Sequence, residues 1–159
     1  NSSPKLKLII APHEIDESHL IEIEKKLNRP ALRYSRLSKT DTVNADCLII
    51  DCFGLLSSIY RYADIGYIGG GFGDGIHNLP EAAVYGIPVI FGPNYSKFRE
   101  ARDLIAIGGG FTIKNKEEFN NIMESFKGEP EMRERAGEAA KNYIFSNSGA
   151  TNKILKHIF

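Results

Sequence analysis

The sequence predicts an α/β protein: a Rossmann-like, three-layer α/β/α domain built on one parallel sheet of about six strands. Three observations carry that prediction. Short apolar runs at 6–11, 47–50 and 88–91 lack polar alternation, as strands covered on both faces do. Between them, apolar residues recur at helical spacing, as in Leu20, Ile23 and Leu27. The two signals alternate along the chain, which implies right-handed crossovers between parallel strands. With 159 residues, 1–159 is read as one domain with a sizeable core.

The first strand is the run 6–11, stopped at Pro12, with His13 and Glu14 in the loop after it. Asp16 is placed to cap a helix that runs to Leu27. A second strand follows at 31–35. From 36 to 45 the chain is polar, which predicts an exposed, mobile connection. The third strand starts at Cys47 and ends in a turn at Phe53-Gly54, and a helix from Leu55 to Tyr62 leads to a fourth strand at Ile65. The fifth strand is Pro88-Val-Ile-Phe, and Gly92-Pro93 opens the loop beyond it. A helix over 98–107, a sixth strand at 110–114 and a helix over 116–126 follow. Pro130 suits the first position of a further helix, whose Met132, Ala136, Ala139, Ala140 and Tyr143 share a face. Ser148-Gly149 ends it, and 150–158 reads as a last short helix with an apolar end at Ile154, Leu155, Ile158 and Phe159. Such an end is expected to fold back or to dimerise, because exposed apolar patches seek cover.

Composition narrows the function classes. Net charge is zero, so no global field recruits nucleic acid or an acidic membrane. No apolar run approaches the ~20 residues that span a bilayer. Cys47 and Cys52 are the only cysteines and flank one strand, where they cannot easily bridge. Two scattered thiols fit packing in a reducing compartment. No His or Cys cluster has metal-ligand spacing, so neither metal nor cofactor is expected.

The chemistry concentrates at 69–81. Gly69, Gly70, Gly71, Gly73 and Gly75 lie between a buried strand and a helix start. Without Cβ atoms the loop can approach a ligand closely, and the helix start presents N–H groups without helical acceptors. Such a place suits a phosphate. Glu81, about one turn into the helix, can accept two hydrogen bonds from a vicinal diol. A tight turn with a solvated acid is the alternative. In parallel sheets ligands bind beyond the carboxyl ends of the strands, so the loops at 11–14, 51–55 and 69–78 are expected to share one nucleotide-sized site.

These residues resemble a known family. Gly-Gly, a glycine-rich loop, His-Asn, Glu-Ala-Ala and Gly-x-Pro-Val look like the nucleotide-sugar site in the carboxyl-terminal half of GT-B glycosyltransferases. More narrowly they resemble 3-deoxy-D-manno-octulosonic acid (Kdo) transferase, which builds the inner core of lipopolysaccharide. The matching motifs are Tyr60-Arg-Tyr-Ala-Asp-Ile65, His77-Asn78 with Glu81, Pro88-Val-Ile-Phe-Gly-Pro93 and Phe98-Arg-Glu-Ala101. They extend over essentially the whole chain.

The resemblance implies one half of a GT-B fold, a single nucleotide-sugar-binding domain with CMP-Kdo as donor. It implies a lipid A precursor as acceptor, at the cytoplasmic face of the bacterial inner membrane. Glu81 would hold the ribose hydroxyls, and Asn78 with the helix amides would meet the phosphate. Gly70, Gly71, His77, Leu79 and Pro80 complete that part of the set. Phe53, Gly54 and Leu55 would lie against the cytidine, and Pro12-His13 would close the phosphate side. The family's catalytic base, a glutamate, belongs to an amino-terminal domain, so no catalytic residue is expected in this chain and the isolated domain is expected to be inactive. Base-assisted direct displacement would be the mechanism, with helix-terminus amides stabilising the departing CMP.

The chain departs from the family at three places. Ala11-Pro12 stand where Pro-Arg is usual, Leu55 replaces an acid, and Asn94 replaces a histidine after Phe-Gly-Pro. His13 and His77 also read as turn residues, Asp64 as a loop acid, and Arg99 and Arg102 either as partners of a sugar carboxylate or as a solvated face. Two other functions fit the same residues: a GT-B enzyme using a UDP-sugar, and a stand-alone nucleotide-binding regulatory module.

Overall fold

A computed structural model describes residues 6–38, 45–149 and Ile154. The middle of the polar connection at 36–45 and, apart from Ile154, the expected last helix lie outside the described residues. The chain forms two compact units, Asn1–Ser58 and Ile59–Phe159.

In the first unit, β1 (Leu8–Ile10), β2 (Ala31–Arg33) and β3 (Cys47–Ile49) form a parallel sheet of order β1-β3-β2. Ile49 sits opposite both Ile10 and Arg33. Helix α1 (Glu17–Lys26) starts where expected: the Asp16 carboxylate accepts the His19 N–H at 3.0 Å. Its Leu20 is buried with Cys47 and Ile49, and Ile23 and Leu27 pack around them. Full burial of a leucine contributes about 1.5–3 kcal/mol. A charged residue is buried as well. Arg33, 5% exposed, ends β2 under two acids of α1. Its Nε and Nη2 donate to the Glu24 carboxylate at 2.7 and 2.9 Å, and its Nη1 donates to Glu17 at 2.5 Å. Both cysteines are free. The short helix α2 (Leu56–Ile59) follows β3 and tightens into a 3₁₀ turn at Tyr60–Tyr62.

In the second unit, β4 (Gly66–Ile68), β5 (Val89–Phe91) and β6 (Gly110–Thr112) form a parallel sheet in sequence order. Helices α3 (Pro80–Ala83), α4 (Arg99–Ala106), α5 (Lys116–Gly128) and α6 (Pro130–Ser146) complete it. The central strand β5 is fully buried, and its residues divide between two clusters. Val89 and Phe91 join Ala82, Ala83, Ala101, Leu104 and Ala140, from α3, α4 and α6. Ile90 turns the other way, to Ile113, Phe126 and Ala136. Both faces are therefore covered, which is why this strand has no polar position. Pro130 opens α6 as expected, and Ala136 and Ala140 are buried on the expected face.

One expectation needs correction. The parallel α/β class holds, but the strands form two three-stranded sheets rather than one sheet of about six. In each, a central strand takes a neighbour on both sides, and every strand is three residues long. Alternating strand and helix signals specify parallel crossovers, not which edges share a ladder.

Candidate functional site

The loop between β4 and α3 is wound on itself. The Gly73 and Gly75 N–H groups donate to the Gly70 carbonyl at 2.9 and 3.3 Å, and the His77 N–H donates to the Gly69 carbonyl at 3.1 Å. Gly70 has φ +86°, and a Cβ there would stand 2.2 Å from the Gly75 carbonyl oxygen. Only glycine serves at that position. Gly71 is needed for a different reason. It is buried against Gly92 at the end of β5, and a Cβ on it would come within 2.6 Å of the Gly92 nitrogen.

A residue beyond β5 fastens this loop. The Asn94 backbone N–H donates to the Gly71 carbonyl at 2.9 Å, and its Nδ2 donates to the Gly73 carbonyl at 2.8 Å. The Phe98 ring lies against Gly75, where a Cβ would meet its edge at 2.9 Å. Neither residue was among the expected site residues. The signal was present at Asn94, as a departure from the family's histidine, but the loop it grips could be identified only in three dimensions.

Helix α3 is a single turn, with Pro80 first and Glu81 second. Glu81 therefore stands at the helix start rather than a turn inside it, and a helix this short has little macrodipole. What orients the carboxylate is a neighbour: Asn78 Nδ2 donates to Glu81 Oε1 at 2.8 Å. Leu79, Ala82 and Ala83 are buried beneath and anchor the turn. Burial, together with the nearby Glu81 charge, pushes the Tyr60 hydroxyl above its ordinary pKa. Half-exposed Glu81 thus offers oriented acceptor oxygens beside its own backbone N–H, whereas Pro80 has no N–H and the N–H groups of buried Ala82 and Ala83 donate to the Leu79 carbonyl at 3.1 Å. That arrangement can hold a vicinal diol.

Asn78 also lines a pocket of about 280 Å³, which Glu81 does not line. Ile76, Leu79, Pro80 and Phe98 supply carbon, and His77, Asn78 and Glu100 supply polar atoms.

The expected residues of the first unit occupy the carboxyl ends of paired strands. Pro12 and exposed His13 follow β1, and exposed Phe53 and Gly54, with half-buried Leu55, follow β3. Gly54 has φ +87°. On the same edge, Asp51 accepts from the Ser35 N–H at 2.8 Å and from the Ser35 hydroxyl at 2.5 Å. Burial alone would raise the Asp51 carboxyl, but these two bonds, together with its own backbone N–H and the Arg33 charge, hold it below the usual carboxylate range.

Other candidates have simpler roles. Arg99 pairs with Asp103 at 3.4 Å, Arg102 is exposed, and Asp64 is an exposed acid 3.9 Å from Arg133. Among the described residues, no group of three or more His, Cys, Asp or Glu could hold a metal ion, and no helix is long and apolar enough to cross a membrane.

No protein-family model matches the chain. Individual proteins do. The chain is 32% identical over 144 residues to the 3-deoxy-D-manno-octulosonic acid transferase of Aquifex aeolicus, covering 87% of this chain and 39% of that protein. To the enzyme of the same name from Chlamydophila psittaci it is 33% identical over 144 residues, covering 88% of this chain and 32% of the other. The chain thus spans about a third of the length of these relatives. In structure it is similar to the C-terminal CMP-Kdo binding domain of WaaA from Acinetobacter baumannii, with a TM-score of 0.74 at 22% identity, covering 86% of this chain and 72% of that one. The fold is that of this domain, and the resemblance to Kdo transferases carried by the motifs is borne out.

Proposed function

We propose that this chain is the CMP-Kdo-binding half of a Kdo transferase, a glycosyltransferase that moves Kdo from CMP-Kdo to a lipid A precursor. The observation that carries the reading is the Asn78–Glu81 pair, held at the start of α3 beside the wound glycine loop. In this reading Glu81 accepts the ribose hydroxyls, while Asn78 and the backbone N–H of Glu81 meet the phosphate of the departing CMP. Gly70, Gly71, His77, Leu79 and Pro80 shape that surface. Pro12, His13, Phe53, Gly54 and Leu55 enter on the family resemblance alone. In this reading the base that deprotonates the acceptor hydroxyl belongs to an amino-terminal domain outside residues 1–159, and residues 1–159 by themselves transfer no sugar.

The same reading puts the work at the cytoplasmic face of the bacterial inner membrane, where the lipid acceptor resides, with the protein held there peripherally or through its other part. For the apolar residues Ile154, Leu155, Ile158 and Phe159 it includes either folding back on their own domain or dimerisation, which concentration-dependent sedimentation would distinguish. The identity of the nucleotide is tested by calorimetric titration of CMP, UMP and 2′-deoxy-CMP. CMP is expected to bind best and the 2′-deoxy analogue markedly less well. Preference for UMP would favour a UDP-sugar enzyme instead, and indifference to the 2′-hydroxyl would remove Glu81 from the site.

A further inference from the structure

The pocket beside Asn78 differs in chemistry from the glycine loop. Buried Ile76 and Leu79, with half-buried Pro80 and Phe98, make an apolar floor. Among the described residues no Lys or Arg lines it, while the Glu100 carboxylate does. Glu100, with no cation beside it in the lining, disfavours an anion at its end of the pocket. A flat apolar surface edged by a carboxylate acceptor and an amide donor suits a polyhydroxylated ring, with C–H groups on the floor and hydroxyls at the rim. About 280 Å³ is the scale of one such ring rather than a whole nucleotide sugar.

Asn78 belongs to the pocket wall and also donates to Glu81, which lies outside the pocket. Asn78 is thus shared between the wall of this pocket and the carboxylate assigned to the ribose. Phe98 ties the pocket to the glycine loop through Gly75. As a first-turn acid of α4, Glu100 is also favourable to its helix, but a helix-stabilising role alone would not require a pocket against it.

We propose that this pocket is the subsite for the sugar of the donor, with Glu100 accepting hydrogen bonds from sugar hydroxyls and Phe98 presenting the apolar face. The inference rests on the nucleotide-sugar reading of Glu81 and goes further, by assigning specificity for the transferred sugar to α4. A donor sugar bearing its own carboxylate is oriented with that group away from Glu100.

The test titrates CMP and CMP-Kdo separately into the natively expressed, full-length protein, its Glu100→Gln variant and its Glu81→Gln variant. Glu100 is exposed at a helix start, so the substitution leaves the fold intact. Glu100→Gln is expected to weaken CMP-Kdo about tenfold and leave CMP unchanged, since one charge-assisted bond is lost. Glu81→Gln is expected to weaken both. An unchanged affinity of Glu100→Gln for CMP-Kdo, or an equal loss for CMP and CMP-Kdo, overturns the sugar subsite while the nucleotide reading stands. Failure of the wild-type protein to bind either compound overturns both.

Discussion

Asn78 donates its side-chain amide to one oxygen of Glu81 at 2.8 Å, across the first turn of α3. The bond holds a half-exposed carboxylate in one orientation, so the two residues should act as a unit. Glu81→Gln is expected to lower CMP affinity about tenfold, because charge-assisted hydrogen bonds contribute about 1.5–3 kcal/mol each. Asn78→Ala should cost less, and the double variant less than the sum of the two. Calorimetry on the four proteins checks this, and strictly additive losses would show that the two side chains act independently.

Asn94 should matter to the same ligand without touching it. Removing its side chain frees the Gly73 carbonyl, and Asn94→Ala is expected to lower stability by about 1 kcal/mol. Hydrogen exchange should quicken at 70–75 and CMP affinity should fall, with exchange in β5 unchanged. Unaltered exchange in the loop would mean that its internal bonds hold it without Asn94.

Gly71→Ala tests the packing of the loop. The new methyl would meet backbone atoms of Gly92 at 2.6–2.7 Å, which a side-chain rotation cannot relieve. Overpacking of this kind costs about 1–3 kcal/mol, to be read as a lowered melting temperature. Gly128→Ala, where a Cβ meets nothing within 4 Å, is the control and should leave stability nearly unchanged.

Arg33 tests the first unit. Its guanidinium is buried and binds both Glu24 and Glu17, and these bonds raise its pKa further while holding the Glu24 carboxyl below its ordinary value. Arg33→Ala removes the guanidinium from both acids, of which Glu17 keeps Arg36 at 3.6 Å, and should cost about 2–3 kcal/mol by denaturant unfolding. Lysine should rescue only in part, since it cannot reproduce the bidentate contact with Glu24.

Asp51 sets part of the acid limit. Its folded-state carboxyl lies below the unfolded value, so its contribution is fully present above the ordinary aspartate range and is lost as pH falls through the folded value. Stability should therefore decline below about pH 4. Ser35→Ala should diminish that contribution at neutral pH and flatten this part of the decline, as measured by unfolding between acid and neutral pH. An acid limb unaffected by the substitution would place the sensitivity elsewhere.

Much of this protein could be read along the chain, because the determining forces act between near neighbours in sequence. Asp16 caps α1, Pro130 opens α6, and the unbroken apolar run at β5 is buried on both faces, all as local pattern requires. His77-Asn78 with Glu81 was likewise visible as a motif, since its residues lie within one turn. What the tertiary structure alone decided are pairings between distant segments: Arg33 under Glu17 and Glu24, Asp51 on Ser35, Asn94 on the glycine loop, and Phe98 with Glu100 beside His77 and Asn78. The division into two ladders belongs with them. Period and spacing specify which face of an element is apolar and where it ends, but a contact between remote residues exists only once the packed backbone has brought them together.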